Sequence, residues 1–357
     1  MENKENILWV DDEIDLLKSN IMFLKQKGYV VFEATNGDDA IHIIRENNID
    51  IVFMDEMMPG KGGLETLVEI KDIKPNLPVV MVQHHHAHIA SCMAEYHLDE
   101  KVIGVALDGT GYGTDGHIWG SEFMICDLND FIRVTHFDYI PLPGGDSATE
   151  EPWRAAVSWL NKVYGRSFLD LDIPLIDKID HEKIEMILKM IDKNINCPLT
   201  SGAGRLFDAV ASLLGLVYTA TFQAEGPMRL ESLVSNDCSD IYPFTRGVTI
   251  SFDETIRAII EDILNNVGNV TIATKLHNTI ILTIFDSVNA IRSKESINKV
   301  VMSGGVFQNK YLLTGATELL QKNNFEVYSH ASVPTNDGGI ALGQLAVASK
   351  RRELKCV

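Results

Sequence analysis

The chain has 357 residues, 45% of them apolar, enough to bury a sizeable core and to form two domains or more. A formal charge of −19 with a pI near 4.9 argues against nucleic acid or an anionic membrane as a partner, because phosphates are repelled and no basic patch intervenes. The five cysteines, Cys92, Cys126, Cys197, Cys238 and Cys356, form no CxxC pair, so neither a zinc knuckle nor a disulfide framework is expected; with a polar start over residues 1–6 and no apolar run of the ~20 residues a bilayer needs, the expected compartment is the cytoplasm.

The first 82 residues alternate strand and helix. Ile7-Leu8-Trp9-Val10 is a short apolar run ending in Asp11-Asp12-Glu13, and Leu16, Leu17, Ile21 and Leu24 follow at helical spacing. Residues 29–32 read as a second strand, 40–45 as a helix, 51–54 as a third strand and 64–73 as a helix. Leu77-Pro78-Val79-Val80-Met81-Val82 reads as a fourth strand. This order implies a parallel sheet with its functional groups at the carboxyl ends of the strands, where Asp11, Asp12 and Asp55 stand. Three carboxylates so placed repel one another unless a divalent cation lies between them, and hard oxygen ligands suit Mg²⁺.

The motifs Val10-Asp11-Asp12-Glu13 and Met54-Asp55-Glu56-Met57-Met58-Pro59-Gly60 make this segment resemble the receiver domain of two-component response regulators. The resemblance implies a flavodoxin-like fold, Asp55 as phosphoacceptor, Asp11 and Asp12 at the Mg²⁺ and a histidine kinase as partner. It stops at Val82. Gln83 stands where the family has Ser or Thr, and the fifth strand with its Lys is absent, so residues 1–82 read as a truncated receiver.

Gln83-His84-His85-His86-Ala87-His88 follows directly. Four imidazoles in five residues are costly as core filler, and His84 and His88 at i and i+4 share a helix face able to hold one metal ion. Val102-Ile103-Gly104-Val105-Ala106-Leu107 then reads as a buried strand feeding Asp108-Gly109-Thr110-Gly111-Tyr112-Gly113. Such a hairpin lets backbone N–H groups at Gly109 and Gly111 approach a phosphate, while Asp108 can face a metal; a tight turn alone would also account for the glycines. Glu151-Pro152-Trp153-Arg154 reads as a loop entering a helix, with a charge pair that could orient a substrate. Gly204 to Asp208 places a carboxylate near a flexible turn, where it can accept from ribose hydroxyls. Ser303-Gly304-Gly305 with Asn309 reads as strand, turn and helix, a way to bring backbone against a nucleotide.

Together with Pro334-Thr335-Asn336-Asp337-Gly338-Gly339 these runs resemble the carboxyl-terminal, TsaD-like domain of the HypF carbamoyltransferases. The matching runs are QHHHAH, DGTGYGTDG, LPGGD, EPWRAA, GRLFDAVASLLG, SGGVFQN and VPTNDGGIALGQ, and residues 83–357 are assigned to that domain. The resemblance implies an actin-like ATPase (ASKHA, TsaD-like) α/β fold that is partial here, since the receiver segment takes the place of the opening lobe. It implies that His84, His88, Asp108 and Asp337 hold a metal, and that Gly204, Asp208, Gly305 and Asn309 line the nucleotide of a carbamoyl-adenylate. Two imidazoles and two carboxylates suit Fe²⁺ or Zn²⁺. The implied acceptor is the carboxyl-terminal cysteine of a HypE-like protein, in maturation of [NiFe]-hydrogenase.

His85 and His86 are candidates for contact with the carbamoyl group or for orienting the ligands, with a structural role as the alternative; Arg154 is the third catalytic candidate. His277 is expected to be a packing residue. Gln223 stands where relatives often have Glu. The acylphosphatase, zinc-finger and YrdC-like domains of HypF proteins are not visible in the sequence. The alternative function is a phosphorelay receiver carrying a regulatory or inactive nucleotide-binding domain.

Overall fold

The structure, a computed structural model, describes residues 5–12, 14–55, 58, 60–77, 79 and 81–355. Residues 1–4, Glu13, Glu56, Met57, Pro59, Pro78, Val80 and Cys356 of the motifs and runs above lie outside the described residues. The chain divides into two compact units, 1–83 and 84–357. Among the described residues no helix is long and apolar enough to cross a membrane.

The first unit runs β1 (Asn6–Val10), a 3-10 turn (Ile14–Leu17), α1 (Lys18–Gln26), β2 (Val30–Ala34), α2 (Gly37–Glu46), β3 (Ile51–Met54) and α3 (Gly63–Ile73). Its three strands are parallel in the order β2-β1-β3. The helix α2 begins three residues before the apolar pattern because Asn36 caps it, its Oδ1 accepting from the Asp39 N–H at 2.9 Å. Leu8, Val10, Ala40, Ile41, Ile44, Val52 and Ile70 close the core. The expected fourth strand is reduced, among the described residues, to one parallel bridge between Val79 and Val52.

The second unit begins with α4 (His84–Glu95), β4 (Val102–Leu107), β5 (Ser121–Cys126), β6 (Phe131–His136), β7 (Ile140–Pro141), α5 (Ser147–Glu150), α6 (Trp153–Tyr164), α7 (Pro174–Lys178) and α8 (His181–Asp192). It continues with β8 (Leu199–Thr200), α9 (Ala203–Leu213), α10 (Glu225–Leu233), β9 (Thr245–Arg246), β10 (Ile250–Ser251), α11 (Asp253–Leu264) and α12 (Asn269–Glu295). The last elements are β11 (Lys299–Ser303), α13 (Lys310–Lys322), β12 (Glu326–Ser329) and α14 (Ile340–Lys355). A mixed sheet in the order β12-β11-β4-β5-β6 is its centre, parallel from β12 to β4 and antiparallel onward.

Both faces of β4 are buried, and its alternation sorts two cores. Val102 and Ala106 face Ile89, Cys92 and Met93 of α4. Ile103, Val105 and Leu107 face the larger core, with Trp153, Leu206, Phe207 and Ile280. The carboxyl end of β4 therefore opens between α4 on one side and α9 on the other. Gly304, at φ +107, continues β11 past that point, and a β-carbon there would overlap the Leu107 carbonyl, so only glycine passes.

Candidate metal and nucleotide site

Asp108 follows the last residue of β4, and the fold brings three distant side chains to it. Nε2 of His88 lies 2.9 Å from Asp108 Oδ2 and 3.2 Å from Asp337 Oδ1, while Nε2 of His84 lies 3.3 Å and 3.5 Å from the same two oxygens. One donor atom from each of His84, His88, Asp108 and Asp337 falls within 4.8 Å of all the others. Burial alone would lower the pKa of His88, but the two carboxylates more than offset it and raise the value to about 9. Burial likewise works against the Asp108 carboxylate, yet hydrogen bonds from His84 and His88 hold its pKa well below the usual range. Two imidazole nitrogens with two carboxylates form a fitting donor set for a divalent cation.

The hairpin after β4 covers the histidines. Trp119 N donates to Gly111 O and Gly113 N to His117 O. The turn is pinned by Asp115, whose carboxylate accepts from Trp119 Nε1 at 2.8 Å and Tyr139 Oη at 2.6 Å and pairs with Arg133 at 3.2 Å. Asp115 is thus occupied away from the cluster, and Asp108 alone of the hairpin's acids joins it.

His85 is fully buried, its ring centroid 6.2 Å from that of Trp119, and burial followed by the neighbouring His84 pushes its pKa well below the ordinary imidazole value. His86 is fully buried too and bonds through Nε2 to the Asp127 carbonyl at 2.7 Å, against Phe131. Neither joins the four donors. Arg154 pairs with Glu151 at 2.5 Å, as its spacing suggested, and its Nη1 fills the space beneath the Gly144 turn.

On the other side of β4, Gly204 N donates to the Asp108 carbonyl at 3.2 Å, and a β-carbon on Gly204 would lie 3.0 Å from Gly109 Cα. Gly305 abuts Asp108, a β-carbon there falling 3.0 Å from Oδ1, and Gly109 N donates to that same oxygen at 2.8 Å. Asp208 departs from expectation: it lies inside α9, not at a flexible turn, and is almost wholly buried because α9 packs on all sides. Burial raises its pKa although Arg205 opposes this.

Arg205 is a residue the motif reading passed over. Its side chain is 10% exposed, Nη2 pairs with Asp208 at 2.8 Å, and Nε and Nη1 have no hydrogen-bond partner. A buried guanidinium with unpartnered donors beside Gly109 has the chemistry to donate to an anionic group. Asn309 caps α13, with Oδ1 accepting from Leu312 N at 3.0 Å and Nδ2 bonded to His277 Nε2 at 2.9 Å. His277 is indeed buried and packed, on Phe207 and Tyr311; it also donates from Nδ1 to the Ala273 carbonyl at 2.7 Å, so it holds Asn309 in place. Gln223 is exposed, and the nearby acid is instead Glu225, buried and bonded to Thr221 and Arg229.

In the first unit Asp11 and Asp55 follow β1 and β3, tied by Asp55 N donating to the Val10 carbonyl at 2.9 Å. Among the described residues the four-residue cluster above is the one group of three or more potential metal ligands so close together, and Asp11, Asp12 and Asp55 do not form another.

This fold and site define a Kae1-like carbamoyltransferase domain behind a receiver unit. The family model described as "Carbamoyltransferase, Kae1-like Domain, second subdomain" matches residues 104–344, and the response regulator receiver model matches 7–99. The receiver match runs past the Val82 limit read from the sequence, whereas the structural division falls after Gln83. The chain belongs to the HypF carbamoyltransferase family. It is 34% identical over 299 residues to Carbamoyltransferase HypF of Synechocystis, covering 78% of this chain and 38% of that protein. It is 32% identical over 285 residues to a HypF homolog of Cupriavidus necator, covering 77% and 72%. A crystal structure of full-length HypF in a phosphate- and nucleotide-bound form superposes with a TM-score of 0.76 at 42% identity, over 87% of this chain and 49% of that one. The chain thus spans less than half of the Synechocystis relative and of that full-length structure.

Proposed function

We propose that the second unit transfers a carbamoyl group from carbamoyl-adenylate to the carboxyl-terminal cysteine of a HypE-like protein. The observation that carries this reading is the convergence of His84, His88, Asp108 and Asp337 at the end of β4, in a chain of the HypF family. Those four residues would hold Fe²⁺ or Zn²⁺. Such an ion, when bound, supplies positive charge against the phosphate of an adenylate.

The chain's own groups do the rest. Arg205 donates through its idle N–H groups to phosphate oxygens and offsets the charge that builds on AMP as it leaves. Gly204 and Gly305 let α9 and the turn after β11 close onto Gly109 and Asp108, where β-carbons would crowd, and the nucleotide is placed beside that junction. The acceptor thiolate attacks the carbamoyl carbon, the bond from that carbon to the phosphate oxygen breaks, AMP departs, and the thiol proton passes to solvent. The product is a cysteine thiocarbamate. Positioning of the two reactants is the main requirement, since a thiolate is already a strong nucleophile.

The test supplies synthetic carbamoyl-adenylate and purified HypE to metal-loaded full chain and follows AMP release with the mass of the HypE carboxyl-terminal peptide. A carbamoyl gain that disappears in His84→Ala and His88→Ala is expected; folded, metal-loaded protein that releases no AMP to HypE overturns the reading.

A second reading is favoured by the receiver match and by Asp55 at the end of β3: a histidine kinase phosphorylates Asp55 with Mg²⁺ at Asp11 and Asp12. Acetyl phosphate with Mg²⁺ should then add a phosphoryl mass to the chain and leave Asp55→Asn unmodified. No mass gain in the parent chain dismisses it.

A further inference from the structure

Four side chains of α4, His84, His88, Ser91 and Glu95, fall at i, i+4, i+7 and i+11, one face of a helix. The first two carry ring nitrogens of the donor group. The other two reach the segment that delivers Asp337. Ser91 Oγ, buried, donates to the Gly339 carbonyl at 2.8 Å, two residues beyond Asp337. Glu95 Oε1 accepts from the backbone N–H groups of Ala331 at 3.2 Å and Ser332 at 2.7 Å, before Asp337. Its Oε2 accepts from His330 Nδ1 at 3.0 Å. The other nitrogen of His330 then accepts from the Ser303 hydroxyl at 2.9 Å, at the end of β11.

A serine, a histidine and a carboxylate in this order have the connectivity of an acyl-transfer triad. Ser303 is fully buried, so no substrate carbon can approach its oxygen and the bonds serve orientation. They are needed at Asp337. It is the most exposed of the four donors, with a side chain 56% accessible, and it sits on a 3-10 turn of three residues, Asp337–Gly339. Beyond it, a β-carbon on Gly343 would overlap the Ala87 carbonyl, which keeps α14 pressed along α4.

We propose that Glu95, acting with His330, and Ser91 are positioning residues that aim Asp337 at His84 and His88, so that one face of α4 both supplies two metal ligands and sets a third. This rests on the metal-site reading above. Partners that orient a ligand typically change metal affinity by roughly 10–100-fold, and a role exerted through Asp337 vanishes when that carboxylate is gone.

Co²⁺ titrated into the full chain against a chromophoric chelator tests this, with apo-protein thermal unfolding to monitor the fold. Glu95→Gln and His330→Asn should each weaken Co²⁺ binding by about tenfold or more, and neither should weaken it further in an Asp337→Asn background. Unchanged affinity in both variants overturns the proposal. So does an equal loss with and without Asp337, the mark of general loosening. Should Glu95→Gln and His330→Asn unfold, Ser91→Ala makes the same comparison at the other tie. A parent chain that takes up no Co²⁺ removes the metal-site reading itself, an outcome distinct from a parent that binds while the variants bind equally.

Discussion

Gly111 lies flat against the imidazole of His84: a β-carbon on Gly111 would stand 2.6 Å from Cδ2 of His84 and 2.5 Å from Cε1 of His85. Neither ring can retreat, His85 because it is fully buried and His84 because its Nε2 is committed to the two carboxylates. Gly111→Ala should therefore displace His84 or the hairpin, weaken metal binding by about tenfold or more, and lower apo-protein stability by about 1–3 kcal/mol through overpacking. Co²⁺ titration of the alanine variant checks this; parent-like affinity would mean the rings adjust freely.

Asp108 faces His84 and His88 at once. Asp108→Asn keeps its shape and removes its charge, so the cluster loses one anionic donor. A ligand at a hundred times its Kd stabilises the folded state by about 2.7 kcal/mol. Zn²⁺ should raise the unfolding midpoint of the parent chain, EDTA should reverse the rise, and the asparagine variant at the same Zn²⁺ concentration should show little of it. A full Zn²⁺ response in Asp108→Asn would exclude that carboxylate from the site.

Arg205 keeps two buried nitrogens idle beside Asp208 and Gly109. Lysine retains the charge but not the planar fork, and hydrogen bonds involving a charged group contribute about 1.5–3 kcal/mol. Arg205→Lys should weaken AMP binding by roughly tenfold to a hundredfold, read by calorimetry. An unchanged AMP affinity would leave the guanidinium as a partner of Asp208 alone.

His277 is neutral in the folded chain because burial lowers its pKa to about 4, a hydrogen bond to the Ala273 carbonyl opposing this only in part. An unfolded histidine titrates near 6.5. Between these values the unfolded chain takes up the proton and the folded chain does not. The stability due to neutral His277 is complete above pH ~6.5 and is lost as the pH falls toward about 4, with a slope of at most about 1.4 kcal/mol per pH unit. Urea unfolding from pH 7 to 4 should show a shallower decline in His277→Gln than in the parent; parallel declines would assign the acid sensitivity to other groups.

Much of the site was open to reading from residue order. His84 and His88 share a helix face by spacing alone, and the same period reaches Ser91 and Glu95, although nothing local says what those two touch. Arg205 carried a weak signal, a cation three residues before Asp208 on a helix otherwise apolar or small. Asp208 was misplaced because its neighbouring glycines suggest a turn, whereas packing on every side keeps α9 helical through Gly204. Of the fourth strand of the first unit, the described residues retain one parallel bridge, Val79 to Val52.

By itself the sequence determined the local elements: the strands with acids at their ends, the paired histidines and the glycine turns, since these follow from side-chain period and backbone sterics within a few residues. Only the tertiary structure decided which acids meet the histidines. Asp108 and Asp115 share one hairpin, yet Asp115 is drawn to Trp119, Tyr139 and Arg133 while Asp108 stays at the end of β4. Asp337 arrives because β11 pairs in parallel with β4 and α14 lies along α4. Burial of two sheet faces sets those pairings, and that is a property of the whole unit.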